Sequence, residues 1–226
     1  MSEQLPLFRP RTDLSFDNFY VSPSNETVVR ALRQWLQQSD GGVFYLHGAE
    51  GSGRSHLLQA ACRDRNAFYL PLGELRDHEP DAIFADLESA DLVCLDDIDV
   101  ALGSISWCEA LFHLFNRIIA ARGKLLVSAL QSAANIPCRL QDLQSRLSLG
   151  GSFRLQTAND EDLAPALQLR AHERGIELSN DVIAYILSRY PRDFAALLSL
   201  LTELDRHSLR EQRRITVPFV RRFLGA

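Results

Sequence analysis

Gly48-Ala49-Glu50-Gly51-Ser52-Gly53-Arg54-Ser55 is the stretch on which the reading of this chain turns. It follows the phosphate-binding pattern G-x-x-x-x-G-K-[ST], except that Arg54 stands where lysine is expected. Val43-Phe44-Tyr45-Leu46 precedes it, a short apolar run that reads as a buried strand. From Ser52 onward, Leu57, Leu58, Ala60 and Ala61 recur at helical spacing. Strand, glycine turn and helix together aim free backbone N–H groups and the positive end of a helix dipole at an anion. Gly48, Gly51 and Gly53 let the backbone close where a Cβ would collide. Ser52 sits inside the turn, and Ser55 is placed to offer its hydroxyl to Mg²⁺. Arg54 is wider than lysine, permanently charged, and bonds oxygens in a fork. The expectation is that it holds a diphosphate while hydrolysis in cis is slow or absent.

A second motif lies downstream. Leu92-Val93-Cys94-Leu95 is an apolar strand ending in Asp96-Asp97, the Walker B pattern. Asp96 is expected to hold Mg²⁺ through water, and Asp97 to occupy the place of a base or water-positioning acid. Ser128 ends the next strand, Leu125 to Ser128, where it is a candidate γ-phosphate sensor. Its neighbours Leu130 and Gln131 are poor substitutes for Asn, Asp or Thr in that role.

Helix and strand signals alternate from about residue 24 to 155: a helix over 27–38, strands at 68–72 and 92–95, a helix over 107–121, then strands at 125–128 and 153–155. The expected class is α/β, a parallel five-stranded sheet flanked by helices. After residue 158 only helices follow, over 159–174, 179–189 and 192–206, with a short one near Pro218. The expected division is a flexible tail over 1–13, a nucleotide-binding core over 14–157 and a helical lid over 158–226.

Composition narrows the classes. The 226 residues are 46% hydrophobic and 23% charged, with a net charge of −5. That balance argues against a chain built mainly to coat nucleic acid. No apolar run approaches the ~18 residues of a membrane span, and no secretory signal is visible. Cys62, Cys94, Cys108 and Cys138 form no C-x-x-C pair and read as reduced thiols of a cytoplasmic protein. Arg206, His207, Arg210, Arg213, Arg214, Arg221 and Arg222 crowd the C-terminal end, either as a solvated helix face or as a DNA-facing patch.

The two motifs, the sheet and the lid together resemble the AAA+ ATPases, and several segments narrow the resemblance to the DnaA-like branch. Phe16-Asp17-Asn18-Phe19-Tyr20-Val21-Ser22-Pro23-Ser24-Asn25 is similar to the F-D-N-F-V-x-G-x-S-N segment that lies around the adenine in that family. Gly53-Arg54-Ser55-His56-Leu57-Leu58 resembles G-K-T-H-L-L, and Leu95-Asp96-Asp97-Ile98 resembles the family's Walker B. Leu143-Gln144-Ser145-Arg146-Leu147 resembles the L-x-S-R-[LF] segment whose arginine reaches a neighbouring subunit's nucleotide. Arg192, expected to open the third lid helix, resembles the sensor-two arginine. The similarity spans roughly residues 14 to 224.

The resemblance implies nucleotide contacts from Phe19, Val21, Gly48, Gly51, Ser52, Gly53, Arg54, Ser55, His56 and Arg192. It implies Mg²⁺ at Ser55 and Asp96, and an arginine finger in trans at Arg146. ADP or another nucleoside diphosphate is the expected ligand. Family members that initiate replication carry a helix-turn-helix domain after the lid; nothing after this lid resembles one. Gln4-Leu5-Pro6-Leu7-Phe8 is similar to the Q-L-x-L-F peptide with which replication proteins dock on the β sliding clamp of DNA polymerase III. Gln4, Leu5, Leu7 and Phe8 would carry that contact. The implied activity is regulation of bacterial replication initiation: promotion of ATP hydrolysis on DnaA, with DNA reached indirectly through the clamp at the replisome and no membrane involved.

Alternatives stay open from the residues. Arg146 is also placed for a salt bridge with Asp142 one helical turn earlier, Arg192 for one with Asp193 or the lid acids, and the tail for packing on its own core. A helicase-loader ATPase and a non-catalytic clamp-bound adaptor remain rival functions. Monomer and homodimer are equally compatible with the sequence.

Overall fold

The computed structural model describes residues 14–225. The tail peptide expected to dock on the clamp (Gln4, Leu5, Leu7 and Phe8) lies outside the described residues. The described residues divide into two compact units, one of residues 14–16 with Pro23–Thr157, the other of Asp17–Ser22 with residues 158–225.

In the first unit, α1 (Glu26–Gln37) leads into β1 (Gly42–His47), the phosphate-type loop and α2 (Arg54–Cys62). Then come β2 (Ala67–Pro71), the short helices α3 (Leu72–Leu75) and α4 (Pro80–Ile83), β3 (Leu92–Asp96), α5 (Ile105–Ala120), β4 (Lys124–Ala129), α6 (Gln141–Leu147) and β5 (Ser152–Arg154). The strands form one sheet in the order β2-β3-β4-β1-β5. Every pairing is parallel, with Phe44 beside Leu126, Leu46 beside Phe153 and Cys94 beside Leu126. All five residues of β3 are buried, which explains its unbroken apolar run. Phe44, Tyr45, Leu95, Val127, Leu111, Leu114 and Phe115 are all but excluded from solvent.

One local departure has a physical cause. The strand expected over 68–72 stops at Pro71, which has no N–H to donate and sits on the sheet's edge strand. Leu72 goes instead into α3, where it is fully buried. Asn25 makes no cap bond for α1. Its side chain clasps Gln156, donating to the carbonyl at 2.8 Å and accepting the N–H at 2.8 Å, and so ties the segment before α1 to the one after β5.

The second unit contains α7 (Asp160–Glu173), α8 (Asn180–Arg189), α9 (Phe194–Glu211) and α10 (Val217–Phe223). Side chains of Asn159, Ser179, Asp193 and Thr216 cap these helices in turn. Leu163, Leu167, Ile183, Ile186, Leu197, Leu201, Leu204 and Val220 make the core. Asp17–Ser22, expected within the nucleotide-binding core, belongs to this unit instead. The Tyr20 hydroxyl donates to Asp162 Oδ1 at 3.3 Å, and Arg170 Nη1 donates to the Asn18 carbonyl at 3.4 Å. Arg192 does not open α9: Asp193 is the cap and Phe194 the first helical residue.

Candidate nucleotide-binding site

The loop after β1 leaves the sheet where the strand order reverses, since β1 leads to β2 on one side and β4 to β5 on the other. Ligands of open parallel sheets bind at the carboxyl ends of strands at such a point. Gly51 and Gly53 hold φ of 76° and 94°, conformations that L side chains rarely adopt. At Gly48 the expected Cβ collision is present, with Ser52 Oγ of the loop at 2.9 Å and, closer still, with a residue from outside it. A Cβ there would meet the Leu155 carbonyl oxygen at 2.3 Å, so this glycine lets the loop pass the end of β5.

Two polar atoms inside the loop are buried and have no hydrogen-bond partner: Ser52 Oγ and Arg54 Nη1. Burying such groups unpaired costs free energy. Together with the first-turn N–H groups of α2 they form a cradle suited to phosphate oxygens. Arg54 is only 6% exposed. Its other arm, Nη2, forms an ion pair with Asp97 Oδ1 at 3.0 Å. Neither Nη1 nor Oδ1 has an aligned hydrogen bond, so the contact is electrostatic rather than a bidentate fork.

The strand-end acids are held differently from one another. Asp96 is buried, and each of its oxygens accepts from a hydroxyl: Oδ2 from Tyr69 at 2.6 Å, Oδ1 from Ser128. Gln59 Nε2 donates to the Tyr69 oxygen at 3.2 Å. Burial first, and the Asp96 charge second, push the Tyr69 phenol far up, so it stays a donor. Asp97 takes a left-handed conformation, φ 54°, and its N–H donates to Ser128 Oγ at 2.9 Å. Burial raises the Asp97 pKa, the Asp96 charge raises it further, and Arg54 opposes both. Ser128 is therefore not free to sense a phosphate. It is fully buried and clamps the two acids together.

For Mg²⁺ the donors are few. Among the described residues no group of three His, Cys, Asp or Glu could hold a metal ion. Ser55, expected to offer its hydroxyl to Mg²⁺, lies half-buried in the first turn of α2, and Asp96, the expected water-mediated partner, has both oxygens engaged by hydroxyls. His56 reaches the Ser15 carbonyl through Nε2 at 2.8 Å, tying α2 to the segment before α1. Phe19 and Val21, in the second unit, are half-buried. Arg192, also there, pairs with Asp160.

Arg146 lies in the last turn of α6. Its guanidinium sits 5.5 Å from the centroid of Phe112 and 5.7 Å from that of Phe115, both on α5. Asp142, the partner that sequence position suggested, is not within ion-pair distance, and no other carboxylate of the described residues is. Sequence reasoning missed Tyr69 and Gln59. Only the pairing of β2 with β3, which sets Pro71 beside Asp96, brings Tyr69 into reach.

Comparison with known proteins matches residues 11–154 to the family model for the bacterial DnaA ATPase domain and residues 160–224 to that for the lid domain of Hda. An uncharacterized protein of Haemophilus influenzae is 38% identical over 233 residues, covering both chains completely. Among solved structures, domain III of the Thermotoga maritima replication initiation protein DnaA aligns at a TM-score of 0.80 and 18% identity, over 98% of each chain. AMPPCP-bound DnaA from Aquifex aeolicus aligns at 0.68 and 19%, over 90% of this chain and 71% of its own.

Proposed function

The chain belongs to the bacterial DnaA ATPase family, as an AAA+ protein with a lid of Hda type, and from that premise we propose that it is a nucleotide-holding inactivator of DnaA. It keeps a nucleoside diphosphate, ADP foremost, in its own loop and offers Arg146 in trans to ATP bound on DnaA. Residues Gln4 to Phe8 dock it on the β sliding clamp, so that it acts in the cytoplasm where DNA has just been copied. DnaA is left in its ADP form and does not initiate again. AMPPCP in the similar Aquifex protein supports a nucleotide at the loop, as do the partnerless Ser52 Oγ and Arg54 Nη1.

The observation that carries the reading is the state of Arg146. It is half-exposed, braced by two aromatic rings, and paired with no carboxylate among the described residues. A cation that must meet charge developing on another subunit's phosphate has to be positioned without being neutralised. Ring faces do that, because they attract the cation without bringing a counter-charge. An arginine supplied in this way is worth about 10³–10⁵ in rate in other nucleotide hydrolases. Bound nucleotide and Mg²⁺ would supply charge and shape to the loop. Ser52, Arg54, Ser55 and the α2 amides hold and orient, while Tyr69 and Ser128 keep Asp96 fixed.

The test is hydrolysis of DnaA-bound ATP with clamp loaded on DNA, comparing this chain with Arg146→Ala. Stimulation is expected with the parent chain and its loss in the variant. No stimulation by the parent chain, with clamp binding intact, would leave a clamp-bound adaptor and refute the inactivator.

A further inference from the structure

The two arms of the Arg54 guanidinium, at the start of α2, are used differently. Its Nη2 lies 3.0 Å from Asp97 Oδ1, and its Nη1 is buried without a partner. A lysine ammonium, being a point charge, would have to choose between an acid and a phosphate; a planar guanidinium has donors on two sides. Asp97 is suited to anchoring it. Its backbone is fixed by the bond to Ser128, its left-handed conformation turns it away from the β3 direction, and its side chain is 45% exposed.

Resting on the nucleotide-holding reading above, we propose that Arg54 bridges Asp97 and the nucleotide's β-phosphate, so that Asp97 is a positioning residue for diphosphate binding rather than a base. One guanidinium arm is pinned by the carboxylate, which orients the other toward the phosphate. The second acid of the strand-end pair then contributes affinity through a cation, and it is not available to activate water.

The sign of one mutational effect distinguishes this from the alternatives. By Coulomb's law alone, removing a negative charge from beside a phosphate tightens binding. If Asp97 instead orients Arg54, Asp97→Asn loosens it. Asparagine tolerates the left-handed conformation, so the backbone is preserved. ADP and AMP binding are measured by calorimetry for the parent chain, Asp97→Asn, Arg54→Lys and the double variant, in Mg²⁺ and again in EDTA. Asp97→Asn is expected to weaken ADP about three- to tenfold, in the range of coupling between contacting residues. AMP, which lacks the β-phosphate, is expected to change little. In the Arg54→Lys background the same substitution is expected to leave ADP unchanged or tighter.

Tighter ADP binding by Asp97→Asn, or an equal loss in both backgrounds, would overturn the bridge. A loss seen only with Mg²⁺ would also overturn it and assign Asp97 to the metal. Failure of the parent chain to bind ADP at all would instead defeat the nucleotide-holding reading. Thermal melting of each unliganded chain separates these outcomes from misfolding.

Discussion

Tyr69→Phe removes one oxygen atom, and the structure sets what that costs. The lost hydroxyl donates at 2.6 Å to Oδ2 of a buried carboxylate, and it also accepts from Gln59. Hydrogen bonds to charged groups contribute about 1.5–3 kcal/mol net, against about 0.5–1.5 for neutral pairs. Asp96 Oδ2 would be left with no partner from β2 in a place that water does not reach. Tyr45 supplies the internal control. It too is buried in the same unit, and its hydroxyl donates at 3.0 Å to the backbone carbonyl of Gln131, an exposed residue that water can satisfy. Tyr69→Phe should therefore cost about 2 kcal/mol and Tyr45→Phe about 1. Both tryptophans, Trp35 and Trp107, lie in this unit, so tryptophan fluorescence during urea unfolding reports on it selectively. With an m-value of roughly 2 kcal/mol/M, the midpoints should fall by about 1 M and 0.5 M. A Tyr69→Phe midpoint no lower than that of Tyr45→Phe would refute the claim that Tyr69 secures the Asp96 carboxylate.

Four other perturbations test other parts of the structure. Burial lowers the His47 pKa below the ordinary histidine value of about 6.5, and the charges of Arg154 and then Arg54 add to the effect. The unfolded chain then binds the proton more readily, so stability is lost as pH falls below about 6.5. His47→Gln should remove that dependence when urea unfolding is compared at pH 7.5 and pH 5.5. Asn159→Ala breaks the capping box, in which Oδ1 accepts from the Glu161 and Asp162 amides. It should cost the lid about 0.5–2 kcal/mol by circular dichroism while leaving the tryptophan transition in place. Gly48→Ala drives a Cβ against the Leu155 carbonyl and should destabilise the first unit and weaken ADP. Gly73→Ala meets nothing within 4 Å and should stabilise by about 0.4–1 kcal/mol in the same unfolding assay.

The parallel sheet and the lid were legible because they rest on local signals. The apolar run of β3 reflects burial on both faces, and Asn159 and Ser179, where the first two lid helices were expected to open, are their caps, whereas Asp193 was expected inside the third. The loop and the strand-end acids were legible because their spacing is the chemistry. What was hidden depends on non-local pairing. Tyr69 meets Asp96 only through the β2–β3 register, and Ser128 meets both acids only because β4 lies beside β3. Gly48 looked like a phosphate contact, yet the nearest atom a Cβ would strike belongs to Leu155, 107 positions away in sequence. The assignment of Asp17–Ser22 to the lid's unit was equally unreadable, because Tyr20–Asp162 joins residues 142 apart.

Arg54 and Arg146 illustrate two opposite ways of keeping a guanidinium. A cation as buried as Arg54 needs a counter-charge, since desolvation of an isolated ion costs several kcal/mol, and Asp97 supplies it at 3.0 Å. That pairing commits both groups to each other. Arg146 escapes the requirement by staying half-exposed, and its guanidinium rests over Phe112 and Phe115 rather than on an acid. An ion pair at Arg146 would have to be broken before the arginine could act on a second molecule, at a cost set against its contribution to the transition state. Ring contacts impose a smaller cost, about 0.5–1 kcal/mol at an exposed site. Under the proposed function the difference follows from the task. The arginine that holds the chain's own nucleotide is tied to its acid, and the one offered to DnaA is held only by contacts it can leave.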